Sequence, residues 1–465
     1  MKKSFSIVAI LLAVNSLLAN DWPQFLGPNR NGISAETGLL DKFPESGPKL
    51  VWEKQIGTGY SAPSIRDGKL ILFHRVADEE VLECIDAISA KAVWRYAYPS
   101  KFQDPFGYNN GPRCTPLLAE KFCYTFGAEG MLSCVELATG KLVWQRNTAR
   151  EWDIPEAFFG VGSTPVLEGD LLLVMIGGQP NSGVVGLDAK TGKTIWESVG
   201  EKNWTGKPML GFTDSYQQRQ PSEKFSLSRK ADEETKVAWK TSEKQASYAT
   251  PVLATVNGKR RAFCLMRQGL VMLDPKTGVV DDSFWYRARV EESVNAANPV
   301  VVGDKVMISS SYYRNGSVLL KINAQQKFEE LWRSLVLEIH FTTPIIQDGF
   351  LFGFSGRNEP DARFRCVEFA SGKLMWDRDE HWSPHSAAQP DVYGRGSAIL
   401  ADGKLIVMGE GGLLGLFKAN PQKVEELSRW QVPQLHYPTW AAPVLANKKL
   451  YLRSEDHLVC LELGK

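Results

Sequence analysis

Two histidines, His381 and His385, stand beside Asp379 and Glu380 in the stretch DRDEHWSPHS, a donor set able to bind a metal ion. That spacing brings two imidazoles together only on a helix, and Pro384 between them disfavours one. The stretch therefore reads as a solvated linker, and no metal site is expected. The run GEGGLLG at 409–415 has the composition of a phosphate loop. It aligns with GAEGMLS at 127–133, and no helix follows it, so it reads as a strand hairpin. Glu291 and Glu292, in RVEESVNAANP, form a carboxylate pair that could hold cations, sugar hydroxyls or basic peptides. No GxSxG, HExxH or P-loop pattern occurs, and the seven cysteines include no CxxC and no adjacent pair. No catalytic residue emerges, which favours a binding role over an enzyme.

A repeated unit must position whatever site exists. A proline after a small residue recurs at Pro63, Pro116, Pro165, Pro251, Pro299, Pro344 and Pro443, with Ala398 in a Pro-less copy. The spacings are 45–54 residues, apart from 86 between Pro165 and Pro251. That is the period of propeller blades. Each copy reads as four strands. A short apolar strand at the proline is followed by an alternating strand such as KFCYTFG, an apolar strand ending in an acid, and a strand ending in Trp. The turns before the last strand (ATGK, KTGK, KTGV, ASGK) place a glycine where positive φ is needed. Ala90 in copy one, AQQK in copy five and NPQK in copy seven predict different turns there. Cys84, Cys134, Cys366 and Cys460 share one place in the repeat, filled by Gly186 and Met272 in sister copies. They read as buried filler rather than disulfide partners.

The terminal tryptophans form a series: Trp52, Trp94, Trp144, Trp196, Trp285, Trp332, Trp376 and Trp430. Trp52 precedes the first full copy, while the last copy stops at LVCLELGK without its Trp strand. Residues 49–54, KLVWEK, are the missing piece. The expected architecture is thus an all-β, eight-bladed propeller over 49–465, its four-stranded antiparallel blades closed by the N-terminal strand. A polar surface insertion is expected at about 200–237, within the long spacing.

The chain has 465 residues, beyond the ~250–300 at which one compact core stops growing, as a repeat array allows. Its 54 basic and 53 acidic residues leave a net charge of +1, which gives no electrostatic case for nucleic acid or anionic lipid. Lys2 and Lys3 followed by an apolar run from Phe5 to Val14 read as a signal peptide, cleaved after Ala19. Residues 20–48 are a lead segment. The mature protein is expected to be periplasmic or secreted, not membrane-embedded, with no lipid-anchoring cysteine.

The pattern in GLDAKTGKTIW, approximated in CVELATGKLVW and CVEFASGKLMW, resembles the PQQ-like, or W-motif, β-propeller repeat. This repeat builds the quinoprotein alcohol dehydrogenases and the BamB-like exported propellers. The leader DWPQFLGPNRNGIS is similar to that of the BamB-like subgroup. The resemblance implies a scaffold or ligand-binding module; the alternative is a quinone-dependent oxidoreductase, and a hydrolase or lyase of polysaccharide is a third. The dehydrogenase branch carries a vicinal Cys pair against its quinone, for which this chain has no counterpart. No cofactor is expected, and PQQ is the one to test.

Each linker should reach the inner strand of its blade just before the proline. The residue three places earlier should then face one mouth of the central channel. The eight copies give Tyr60, Arg113, Gly162, Tyr248, Ala296, Phe341, Arg395 and Trp440. With Glu291 and Glu292 nearby, these predict a stacking-capable, cationic funnel suited to a protein or peptide, or to an acidic glycan.

Overall fold

A computed structural model of the chain describes residues 21–155, 159–178, 180–204, 248–287, 294–384 and 391–465. The expected signal peptide, Glu291, Glu292, His385 and all but residues 200–204 of the expected insertion lie outside them. Eight four-stranded antiparallel sheets follow one another, spanning 64–99, 117–147, 166–198, 252–285, 300–334, 345–379, 397–431 and 444–462. The last contributes three strands, and Lys49–Gln55 supplies the fourth by pairing with His457–Glu462, Lys49 opposite Glu462 and Gln55 opposite His457. The ring closes as the sequence predicts.

Burial follows position in the blade. Middle strands such as Leu171–Gly178 and Ser182–Asp188 are almost wholly buried because neighbouring blades cover both faces. Outer strands such as Leu142–Asn147 stay partly exposed. One hydrophobic cluster joins Leu173, Phe263, Met272 and Ile308, so the core runs through successive blades rather than within each.

Inner and outer edges are tied by different bonds. At the inner edge, the N–H of Thr115 donates to the Thr164 hydroxyl (3.2 Å), and Thr164 to the Thr250 hydroxyl (3.3 Å). Thr250 donates to the Asn298 amide oxygen (2.8 Å), and Asn298 to the Thr343 hydroxyl (3.2 Å). At Thr164, Thr250, Asn298 and Thr343 the small polar residue before the proline, or its equivalent, is thus an inter-blade acceptor. At the outer edge, Trp52, Trp94, Trp144, Trp332 and Trp376 each donate Nε1–H to a backbone carbonyl of the next blade's turn. The next turn also presses its glycine on the indole face: a Cβ on Gly192 (φ +70°) would lie 2.7 Å from the Trp144 ring. Within those turns the terminal acid caps free N–H groups, as Asp188 does for Lys190 and Thr191.

Two members of the tryptophan series are not equivalent to the rest. A bulge in each outer strand sets Trp94 opposite Cys84, Trp144 opposite Cys134, Trp196 opposite Gly186 and Trp52 opposite Cys460. The same place holds Asp282, opposite Met272, in blade four and Ser428, opposite Leu416, in blade seven. Trp285 lies beyond it and packs on Trp204 at 5.1 Å, while Trp430 packs on Gly47 of the lead segment. Asp282 and Ser428 instead accept from the N–H groups of Phe328 and Phe43. Spacing to the proline does not reveal this, because linker lengths absorb the offset. Nor does every non-glycine turn differ. Ala90 takes the left-handed conformation (φ +56°) and donates to the Asp86 carbonyl as Gly192 does to Asp188. All seven cysteines are buried and free.

The lead segment crosses one end of the channel. Trp22 exchanges backbone hydrogen bonds with Ile65 of blade one, and the Pro23 carbonyl accepts from Leu118 of blade two. Arg30 donates to the Leu167 carbonyl of blade three, Ile33 bridges Leu400 of blade seven, and Leu40 donates to Leu463 beyond blade eight. Apart from Leu463, which follows the third strand of blade eight, those partners lie on the inner strands beyond the prolines.

Deleting residues 20–54 strips both the eighth blade's outer strand and this crossing segment, and is expected to abolish cooperative thermal unfolding. Gly192→Ala and Gly258→Ala separate strain from clash. Both positions have positive φ, but nothing lies within 4 Å of a Cβ at Gly258. Gly258→Ala is expected to cost about 1 kcal/mol, and Gly192→Ala visibly more in melting temperature.

Candidate functional site

The inner strands begin around one cavity of about 210 Å³. All eight residues predicted from the repeat register line it: Tyr60, Arg113, Gly162, Tyr248, Ala296, Phe341, Arg395 and Trp440. Phe25 and Leu26 of the lead segment line it too, which makes it a funnel with a floor. Two buried arginines build its upper loops. Arg75 donates to the carbonyls of Ala77, Ser100, Phe102 and Asn110, setting the linker that carries Tyr108 and Arg113. Arg453 donates to the carbonyls of Gly57 and Ser61, setting the linker that carries Tyr60.

The wall is a continuous aromatic collar. Trp440 lies 4.9 Å from Tyr60, 5.5 Å from Phe341 and 5.9 Å from Tyr108, ring centre to ring centre. Phe159 carries the collar on from Tyr108 to Tyr248, 5.9 Å from each. At the rim, Phe106 and Tyr108 are 55% and 52% exposed, unusual for large rings and the clearest apolar feature facing solvent there.

The arginines do not make the funnel cationic. Arg113 pairs with Asp104 at 2.6 Å, and Arg395 pairs with Glu410 at 2.9 Å and also with Glu359. Two guanidinium groups thus face three carboxylates. Burial opposes the charge of Arg395, yet Glu410 and Glu359 hold its pKa above the ordinary value. Glu410 is fully buried and also accepts from the indoles of Trp382 (2.9 Å) and Trp440 (2.8 Å). The cation–π contacts of Arg395 with Phe341 and Trp440 and of Arg113 with Tyr60 therefore come from charges already neutralised.

His340 is held neutral. Burial, then the neighbouring Arg395 and Arg357, push its pKa well below the usual imidazole value. An arginine can only donate, so the contact of Arg395 with Nδ1 (3.2 Å) makes that nitrogen an acceptor. The proton then sits on Nε2, facing the Tyr312 hydroxyl at 3.2 Å.

The other sequence candidates are scattered. His381 is exposed and pairs with Asp379, whereas Glu380 is buried against Arg378 and accepts from the Tyr393 N–H. Tyr108, Phe159, Tyr312, His340, Glu359 and Glu410 were missed. The first five lie in linkers or hairpins outside the repeat, and Glu410 sat in the Gly-rich hairpin set aside above. The visible signal was FGYNNGPR, an aromatic-rich linker ahead of Arg113.

The sequence model of the family described as outer membrane protein assembly factor BamB matches residues 40–215 and 128–378. The chain belongs to this family. Its fold is similar to BamB from Moraxella catarrhalis, with a TM-score of 0.56 at 12% identity, covering 89% of this chain and 97% of that one. A quinohemoprotein alcohol dehydrogenase from Comamonas testosteroni is similar with a TM-score of 0.61, again at 12% identity, covering 96% and 81%. The computationally designed Ika8 protein gives 0.53 at 8% identity, covering 90% and 100%. At such identities the likeness is one of fold. No curated protein matches the chain. Among the described residues of this BamB-family propeller, no helix is long and apolar enough to cross a membrane.

The burial of His340 makes stability depend on pH. Its folded pKa is lowered, so below about pH 6.5 the unfolded chain binds a proton that the folded chain refuses. Stability from this residue should fall by ~1.4 kcal/mol per pH unit as pH drops below that value. The drop in melting temperature between pH 7 and pH 5 is expected to shrink in His340→Gln, whatever that variant's stability at pH 7.

Proposed function

We propose that this BamB-family chain is an exported docking scaffold whose floored aromatic funnel receives an apolar or aromatic segment of a protein or peptide partner. The observation that carries the reading is the collar of rings around internally paired charges. With Arg113 and Arg395 committed to Asp104, Glu359 and Glu410, stacking and apolar contact are what the wall has left to offer. The pairing of Arg113 and Arg395 with carboxylates argues against their receiving an acidic glycan or a free peptide carboxylate. The exposed Phe106 and Tyr108 supply the anchors typical of protein recognition. Membership of a family described as an assembly factor and the basic-then-apolar start of the chain support an exported protein with protein partners.

The fold shared with a quinohemoprotein dehydrogenase raises oxidoreduction by a bound quinone as the second reading. The lining fits such a group poorly. PQQ is a planar polycarboxylate, and the arginines among the described lining residues, Arg113 and Arg395, are both already paired. At about 210 Å³ the funnel is also below the ~300–1,000 Å³ of pockets that enclose a whole small molecule. It suits one or two side chains of a larger partner.

Panning a displayed peptide library against the purified protein tests both readings. Enriched peptides should present aromatic or aliphatic residues, and Tyr108→Ala or Trp440→Ala should weaken their binding about tenfold or more. Peptides that bind both variants unchanged would remove the funnel from recognition. Dye-linked dehydrogenase turnover after reconstitution with PQQ and Ca²⁺ would move the reading to the oxidoreductase.

A further inference from the structure

Near the same mouth lies a group of side chains that the funnel does not use. His436 belongs to the linker from blade seven to blade eight, Asp456 ends the hairpin loop after Lys449–Arg453, and His457 opens the strand His457–Glu462. One carboxylate oxygen, Oδ1 of Asp456, lies 3.3 Å from His436 Nε2 and 3.0 Å from His457 Nδ1. The three ligand atoms all fall within 4.8 Å of one another. We propose that His436, Asp456 and His457 form a binding site for a divalent transition-metal ion, zinc being the best match.

The separations of 3.3 and 3.0 Å from Asp456 Oδ1 are close to those between neighbouring ligands of one metal ion. Ligand bonds of about 2.0–2.1 Å in a tetrahedron put neighbouring donor atoms about 3.3 Å apart. Two imidazoles and one carboxylate oxygen are a borderline-soft set that suits zinc, whereas calcium and magnesium want oxygen ligands throughout. Three protein ligands leave one position for water or for an atom of a ligand. Structural zinc sites normally fill all four.

The three residues are held in place before any ion arrives. The Asp456 carbonyl accepts from the Ile56 N–H at 2.7 Å, and its side chain accepts from the Ser454 hydroxyl at 3.1 Å. His457 opens a strand and is paired with Gln55 of the closing strand. The His436 carbonyl accepts from the Thr439 hydroxyl at 2.8 Å. The side chains of His436 and Asp456 are 53% and 45% exposed, whereas His457 Nδ1 is covered, so an ion enters past His436 and Asp456 and sheds water to meet His457. The site also adjoins the funnel through the residue after His436 and the residue before Asp456. Tyr437 packs edge-on against Trp440 at 5.7 Å, and Glu455 accepts from Asn109 in the linker that carries Arg113.

The sequence conceals this site because its histidines come from a linker and from the start of a later strand, without the short spacing of a helical or hairpin motif.

The test is metal loading of the tag-free, full-length protein after chelator treatment and dialysis against micromolar zinc. One zinc per chain is expected by elemental analysis, with a rise in melting temperature on adding the ion. His436→Ala and Asp456→Asn should each lose the bound zinc and the thermal shift, while His381→Ala, on another loop, keeps both. Circular dichroism and melting of the metal-free proteins establish that the variants fold. Cobalt substitution should give the intense visible bands of a tetrahedral site in the parent only. A parent that retains no zinc, or folded variants that retain as much as the parent, would overturn the proposal.

Discussion

The pairing of Lys49–Gln55 with His457–Glu462 is the interaction on which the remaining structure depends. A blade covers its middle strands only with help from its neighbours, so an unclosed series would leave two apolar sheet faces in water. Joining the two ends of the chain within one blade removes both at once. It also places Trp52, whose Nε1–H reaches the Ala87 carbonyl, between the eighth blade and the first. Both strands are thereby part of the ring rather than appendages to it.

Within that ring, the contacts between blades are of two kinds with different tolerance. The outer edge repeats an indole, a carbonyl and a glycine, and it accepts substitution where another pair can bridge the gap. Asp282 with the Phe328 N–H and Ser428 with the Phe43 N–H are such replacements. The inner edge uses Thr and Asn side chains from Thr164 to Thr343 to satisfy N–H groups that water cannot easily reach, while Ala62 and Ala442 hold the same place in blades one and eight. Its residues are also the wall of the funnel, so the bonds that hold the ring together shape the cavity directly.

Much of this was legible in the sequence, for physical reasons that particular residues show. The repeat had to return the chain to the axis at each proline, so counting three residues back located Tyr60, Arg113, Tyr248, Phe341, Arg395 and Trp440 around one cavity. What the count could not supply was the company those side chains keep. Asp104, Glu359 and Glu410 come from linkers and hairpins of unequal length, and only the folded chain sets them beside the arginines. The true register of Trp285 and Trp430 was hidden in the same way, because bulges and linker lengths offset each other along the chain. Ala90 shows the opposite case, in which the fold imposes a glycine-like turn on a residue that does not advertise it.

The segment carrying Trp22, Phe25 and Leu26 has a topological consequence. A ring with an open axis could let a polypeptide thread through it, as a cord passes through a bead. Here, among the described residues, Phe25 and Leu26 stand against the axis, so a guest entering at the rim meets side chains instead of open space. An extended chain captured mid-length would have to bend double at the floor. The geometry favours guests that offer a tip, such as the apex of a turn, a loop or one projecting ring, and it sets an upper limit on how deeply they can go.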